Sequence, residues 1–189
     1  MGIVQAAARQ GFIWLAAGRI TPAKDYPNLL RAFAKVRAHR SDAMLWIAGE
    51  CVSGEVVRLK ELSAQLDLGD SVRWLGLRRD MPALMDAADG FVSASAWEGM
   101  PLAVGEAMAM EKPVVATDVG GVRELVGDAG LLVPAKDSEA LAEAMKATMR
   151  RSGEECAAQG RAARERILRH FSVDTRADAW EALYREMVR

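Results

Sequence analysis

The chain has 189 residues, 51% of them apolar and 27% charged, with a formal net charge of −1. That is enough for one domain with its own core, and it lacks the basic excess that a broad nucleic-acid footprint requires. Two cysteines, Cys51 and Cys156, stand far apart and outside any C-x-x-C spacing, so they indicate neither a disulfide framework nor a zinc site and suit a reducing cytoplasm. No apolar run reaches the roughly 18 to 20 residues of a membrane span. Residues 1–10 lack a secretory leader pattern and read as a linker or an expression remnant.

Residues 12–17 form a short continuous apolar run, the pattern of a strand buried on both faces, and Gly18 ends it. Pro22 and Pro27 bracket the loop that follows. Leu29, Leu30, Phe33 and Val36 then recur at helical spacing up to His39. The unit repeats with strands expected over 43–48, 71–75, 90–93, 113–116 and 130–133. The helices between and after them are expected over 55–66, 81–87, 101–110, a short stretch from Gly121, and 139–150. Short strands alternating with helices make β-α-β units, which right-handed crossovers wind into an open parallel sheet with helices on both faces. Residues 11–151 therefore read as a Rossmann-like α/β domain. Residues 152–189 read as C-terminal helices over 154–170 and 175–188, with Ser172 and Asp174 as cap candidates. Both are expected to pack on the domain, the second through a stripe of Trp180, Leu183, Tyr184 and Met187.

In such a sheet, ligands bind outside the carboxyl ends of the strands. Pro101 suits a first helical turn, so the N–H groups of Leu102 to Val104 and the positive end of the helix dipole make an anion site. Glu98 in the preceding loop and Glu106 on the helix bracket it, with seven residues between them. Glu106 lies among Ala, Val and Met, where a carboxylate calls for a partner or a ligand cavity. From spacing alone, a ligand-binding pair and a solvated loop acid beside a helix-end acid stand about level. Arg19 and Lys24, on the loop after the first strand, suit a diphosphate or are solvated charges. Gly120 and Gly121 allow a close backbone approach or make a plain turn. Trp97 walls a pocket or packs inside. His39 and His170 read as surface or capping residues, and residues 67–70 as a helix-ending turn. No D-x-D-like constellation marks a divalent metal site.

The stretch Glu98-Gly99-x-Pro101-x-x-x-x-Glu106-Ala-Met-Ala resembles the E-x7-E signature of retaining glycosyltransferases of the GT-B fold, in the GT4 family (glycosyl transferases group 1). Ala17-Gly18-Arg19 with Lys24, Ile47-Ala-Gly49-Glu50, Val72-Arg-Trp-Leu-Gly76 and the run from Ala116 to Glu124 resemble further family stretches and occur in the family's order. The likeness runs from about residue 13 to the end and is similar to the C-terminal, donor-binding half only, one half of a GT-B fold.

The resemblance implies a hexose-type UDP- or GDP-sugar as donor, with no cofactor and no metal. It implies Glu98 on the donor sugar near the reacting carbon, Arg19 and Lys24 on the diphosphate, and Glu106 on the ribose hydroxyls. Gly18, Gly99, Met100, Pro101 and Leu102 would line the donor. The backbone of the loop Gly76-Leu77 would hold the base, with Arg78 or Arg79 beside it. The acceptor site would belong to a missing N-terminal domain, so this chain alone should bind donor weakly and transfer nothing. Because the family's final helices cross back toward that domain, part of the Trp180 stripe would be exposed or covered by another chain. Membrane contact would come only through that half, giving a cytoplasmic protein whose full-length enzyme could sit at a membrane periphery. The family often has Gly after the lysine, where Asp25 stands here. A nucleotide-sugar epimerase-like half and a non-catalytic sugar-nucleotide module remain alternatives. A carboxylate-pair hydrolase is disfavoured, because eight helical rises separate the two acids by about 12 Å where a retaining hydrolase needs about 5 Å.

Overall fold

Continuous apolar runs become the interior strands because both faces of a parallel sheet are covered. The computed structural model describes residues 11–50 and 54–188, so the readings made for residues 1–10 and Cys51 fall outside it. The strands are β1 (Ile13–Ala17), β2 (Met44–Ala48), β3 (Val72–Gly76), β4 (Gly90–Ser93), β5 (Val114–Thr117) and β6 (Leu131–Val133). All pair in parallel in the order β3-β2-β1-β4-β5-β6, the doubly wound Rossmann-like order. The chain order reverses between β1 and β4, and a crevice opens there at the carboxyl ends.

Alternation along β1 sends Trp14 and Ala16 to one core and Ile13 and Leu15 to the other. The first core is closed by α1 (Tyr26–His39), α2 (Glu55–Gln65) and α6 (Ser138–Arg150). The second is closed by α3 (Met81–Ala87), α4 (Leu102–Ala109), α5 (Val122–Val126) and α7 (Gly153–Phe171). Leu29, Leu30, Phe33 and Val36 of α1 are buried, as their spacing requires. Each such side chain contributes about 1.5 to 3 kcal/mol on burial.

The helix starts are set by local chemistry. Asp25 takes φ 44°, a left-handed conformation that glycine adopts without cost, and its carboxylate accepts the Asn28 N–H at 3.3 Å to cap α1. Asp137 caps α6 by accepting from Glu139 and Ala140. Ser152 and Glu155 form a reciprocal capping box at α7. Helix α7 then lies across α4 and α5: Gly160 and Ala163 are buried, and Arg166 donates to the carbonyls of Leu125 and Glu124 at 2.9 and 2.6 Å.

The last helix, α8 (Val173–Met187), departs from expectation. Ser172 is its cap, accepting the Thr175 N–H at 3.2 Å, while Asp174 sits inside the first turn and does not cap. None of its residues is buried. Trp180 and Met187 are 57% and 74% exposed, so the stripe does not pack on its own domain. Its apolar residues meet no matching surface of the domain. Trp180 and Tyr184 stack on each other instead, with ring centroids 5.8 Å apart. The helix is anchored to α7 at its start, where the Arg176 guanidinium lies 5.3 Å from the centre of the Phe171 ring. No helix among the described residues is long and apolar enough to cross a membrane.

Candidate functional site

At the carboxyl end of the sheet the loops after β1, β2, β4 and β5 are bonded one to the next, and the loop after β3 joins that of β2. The loop after β1 is tied down first. The Gly18 N–H donates to Ala48 O at 3.0 Å, and the Tyr26 hydroxyl donates to Gly18 O at 2.9 Å. Gly49 lets the backbone of the β2 loop press on this carbonyl, since a Cβ there would overlap Gly18 O. A single 3-10 turn, Pro22–Lys24, then carries Lys24 to the crevice. The Ala96 N–H donates to Ala23 O at 2.8 Å and joins this loop to the one after β4.

That junction brings Lys24 and Glu98, 74 positions apart in sequence, into an ion pair between Nζ and Oε1, with the side chains 23% and 12% exposed. The same Oε1 accepts the Ser95 hydroxyl at 2.7 Å. Glu98 is therefore an engaged, largely enclosed carboxylate, and the solvated-loop reading of it does not hold. Ser95 is itself fully buried, and its carbonyl accepts the Thr117 hydroxyl at 2.6 Å. The loop after β5 props the Glu98–Gly99 backbone from the other side. Gly120 has φ 51° and touches the Glu98 carbonyl so closely that a Cβ would overlap it, and the Gly121 N–H donates to Gly99 O at 2.9 Å. The Tyr26 phenol is pushed above its ordinary pKa by burial first and by the Glu98 charge second.

The remaining predicted residues divide by environment. Arg19 is exposed, with no ion-pair partner among the described residues. Gly76 ends β3 at φ 65° and its carbonyl accepts the Gly49 N–H at 2.8 Å, while Leu77 is exposed. Arg78 is paired with Asp80, Nε to Oδ1 at 2.8 Å. That bond raises the arginine and lowers the aspartate from their ordinary pKa values. Arg79 is exposed without an ion-pair partner among the described residues, while Arg78 keeps its second terminal nitrogen outside the Asp80 pair.

Helix α4 begins one residue later than expected, with Pro101 as its cap. The Val104 N–H bonds Pro101 O at 3.0 Å, which corrects the expected trio of donors: the N–H groups without an acceptor among the described residues are those of Leu102 and Ala103. Glu106 is exposed, without a hydrogen-bonding or ion-pair partner among the described residues. It borders a groove of about 350 Å³ lined by Met100, Leu102, Leu125, Ile167 and Phe171 among others. Trp97 is 60% exposed, so it does not pack inside. His39 and His170 lie on the surface. Cys156 is half-buried far from the crevice in sequence and topology, and burial pushes its thiol up. No cluster of three or more His, Cys, Asp or Glu that could hold a metal occurs among the described residues.

Sequence reading missed Ser95, Thr117 and Tyr26. Ser95 could have been suspected from its place three residues before Glu98, within reach of a local side-chain hydrogen bond. Thr117 and Tyr26 carry no such signal, because their partners come from other loops. Chemically, the crevice offers cations and free N–H groups together with carboxylate acceptors. That combination suits a ligand carrying both phosphate and hydroxyl groups.

The family model described as Glycosyl transferases group 1 matches residues 11–151. The lipopolysaccharide core biosynthesis mannosyltransferase LpsB of Rhizobium meliloti is 36% identical over 135 residues, covering 69% of this chain and 38% of the relative. Among solved structures, a glycosyltransferase from Rickettsia africae superposes with a TM-score of 0.90 at 27% identity, covering 98% of this chain and 50% of that one. Anabaena HepE, crystallised with UDP and glucose, superposes with a TM-score of 0.85 at 27% identity, covering 95% and 50%. The chain thus spans less than half the length of the curated relative and half of each of these two structures.

Proposed function

Because the chain belongs to the glycosyl transferases group 1 family, we propose that it is the donor-binding half of a retaining glycosyltransferase that takes a hexose-type sugar from a UDP- or GDP-sugar. The observation that carries this reading is the Lys24–Glu98–Ser95 cluster at the foot of α4, where the chain order of the sheet reverses. That the HepE neighbour was crystallised with UDP and glucose supports a nucleotide as the kind of ligand.

In this reading Lys24, Arg19 and the N–H groups of Leu102 and Ala103 take the diphosphate and stabilise the charge that develops as it leaves. Lys24 carries three donors, so it can bond a phosphate oxygen while still holding Glu98. Fixed cations and dipoles do this work without a metal or cofactor. Glu98 accepts from the donor sugar, and Glu106, without a partner among the described residues, accepts from the ribose. The Gly76–Leu77 backbone receives the base with Arg78 or Arg79 beside it, and Gly18, Gly99, Met100, Pro101 and Leu102 line the donor. The acceptor would be held by a second half, for which the exposed stripe of α8 offers a docking face, and this chain alone would not transfer. No observation favours the epimerase-like or the non-catalytic reading over this one.

The test is calorimetric titration of UDP, GDP, UDP-glucose and GDP-mannose into the 189-residue chain and its Arg19→Ala variant. A charge-assisted contact is worth about 1.5 to 3 kcal/mol, so Arg19→Ala should weaken the bound nucleotide at least about tenfold. EDTA should leave binding unchanged. Failure of every nucleotide to bind would overturn the reading, and a strict magnesium requirement would overturn its metal-free form.

A further inference from the structure

We propose that Ser95 is the residue that positions Glu98 for the donor sugar, a role that rests on the donor-site reading above. The Glu98 carboxylate uses its two oxygens unequally: Oε1 accepts from both Lys24 and Ser95, while no donor among the described residues reaches Oε2. Oε2 is left for a ligand hydroxyl, and whatever fixes Oε1 decides where Oε2 points.

Lys24 and Ser95 are unequal as fixing groups. Lys24 reaches Glu98 on a flexible four-carbon stem and, in the proposed reaction, divides its donors between the carboxylate and the diphosphate. Ser95 has one short side chain and is fully buried. Its single hydroxyl proton goes to Glu98, so the Ser93 hydroxyl 3.3 Å away is the donor of that pair, giving a relay from Ser93 through Ser95 to Glu98. Its carbonyl is anchored to the sheet, because the fully buried Thr117 of β5 donates to Ser95 O at 2.6 Å. The neighbouring Ala96 N–H is held by Ala23 O at 2.8 Å. A buried hydroxyl fixed from two sides therefore holds one carboxylate oxygen in a constant place while Lys24 changes partners. Ser95 does not itself meet the ligand; it acts through Glu98.

The experiment is a double-mutant cycle read by calorimetry on the 189-residue chain, with UDP and UDP-glucose as one probe pair and GDP and GDP-mannose as the other. Ser95→Ala should weaken the nucleotide sugar about five- to tenfold and leave the bare nucleotide within about twofold. Ser95→Thr, which keeps the hydroxyl, should restore the sugar-bearing probe. In a Glu98→Gln background, Ser95→Ala should have no further effect on that probe. Ser95→Cys keeps the volume of the buried site with a weaker donor, and it should show the same split if the alanine variant does not fold. Equal weakening of both members of a pair, unchanged affinity for the nucleotide sugar, or additive effects in the cycle would overturn the positioning role. Binding of neither pair by the wild-type chain would instead overturn the donor-site reading, and this inference with it.

Discussion

The rim of the crevice and the final helix treat their side chains in opposite ways. At the rim, loops distant in sequence are stitched by backbone bonds, Ala96 to Ala23 and Gly121 to Gly99, and the charges of Lys24 and Glu98 meet each other and Ser95. In α8 a stripe of Trp180, Leu183, Tyr184 and Met187 is exposed, with two of its rings stacked only on one another. The first region draws its contacts from loops of one sheet within this chain. The second has the apolar surface of an interface, and nothing among the described residues covers it. The contrast teaches that loops of one sheet can fix charged side chains against one another, whereas an apolar helix face needs a surface from elsewhere to bury it.

The largest effect should come from the rim's tightest backbone contact. Gly120→Ala places a Cβ against the Glu98 carbonyl at φ 51°, so it meets strain and overlap together. It should cost about 3 kcal/mol or more in urea unfolding and abolish nucleotide binding. A neutral substitution would show that the loops are not coupled as described.

The two glutamates sharpen the comparison within the rim itself. Glu106 is exposed and unpartnered, so Glu106→Gln should change stability by less than about 0.5 kcal/mol while weakening bare and sugar-bearing nucleotides alike by about 1 to 2 kcal/mol. Glu98→Gln should spare the bare nucleotide and weaken only the nucleotide sugar. Equal effects of both variants on bare UDP or GDP would dissolve the division of labour.

A smaller, pH-dependent effect belongs to Tyr26. Its phenol is held above the unfolded value of about 10, so the folded state binds a proton that the unfolded state releases. The stabilisation is fully present below about pH 10 and is lost as pH rises beyond it. At neutral pH, Tyr26→Phe removes the bond to Gly18 O at a cost of about 1 kcal/mol. It should also flatten the alkaline fall in stability relative to wild type, which unfolding curves between pH 8 and about 11 would record. An unaltered alkaline slope would remove Tyr26 from the rim's anchoring groups.

The smallest effect should fall on the final helix. Trp180→Ser should shift unfolding free energy by no more than about 0.5 kcal/mol, because the ring is 57% exposed and meets no core. A cost above about 2 kcal/mol would mean that α8 is packed in solution, and the contrast with the rim would fail.

Periodicity and composition alone determined the alternating strands and helices, and the elements fell within a few residues of their expected places, since apolar runs and amphipathic repeats are local patterns. The E-x7-E stretch with its companion motifs also pointed to the family from sequence order alone. Asp25 was legible as a departure from the family pattern, but its left-handed φ and its capping of α1 appeared only with the backbone. Tertiary structure alone decided that Lys24 reaches Glu98, that Arg78 pairs with Asp80, and that Pro101 satisfies Val104. It also decided that the α8 stripe finds no surface. The physical reason is range: helix and strand propensities act over a few residues, whereas a carboxylate's partners and an apolar stripe's burial depend on what folding brings from elsewhere in the chain.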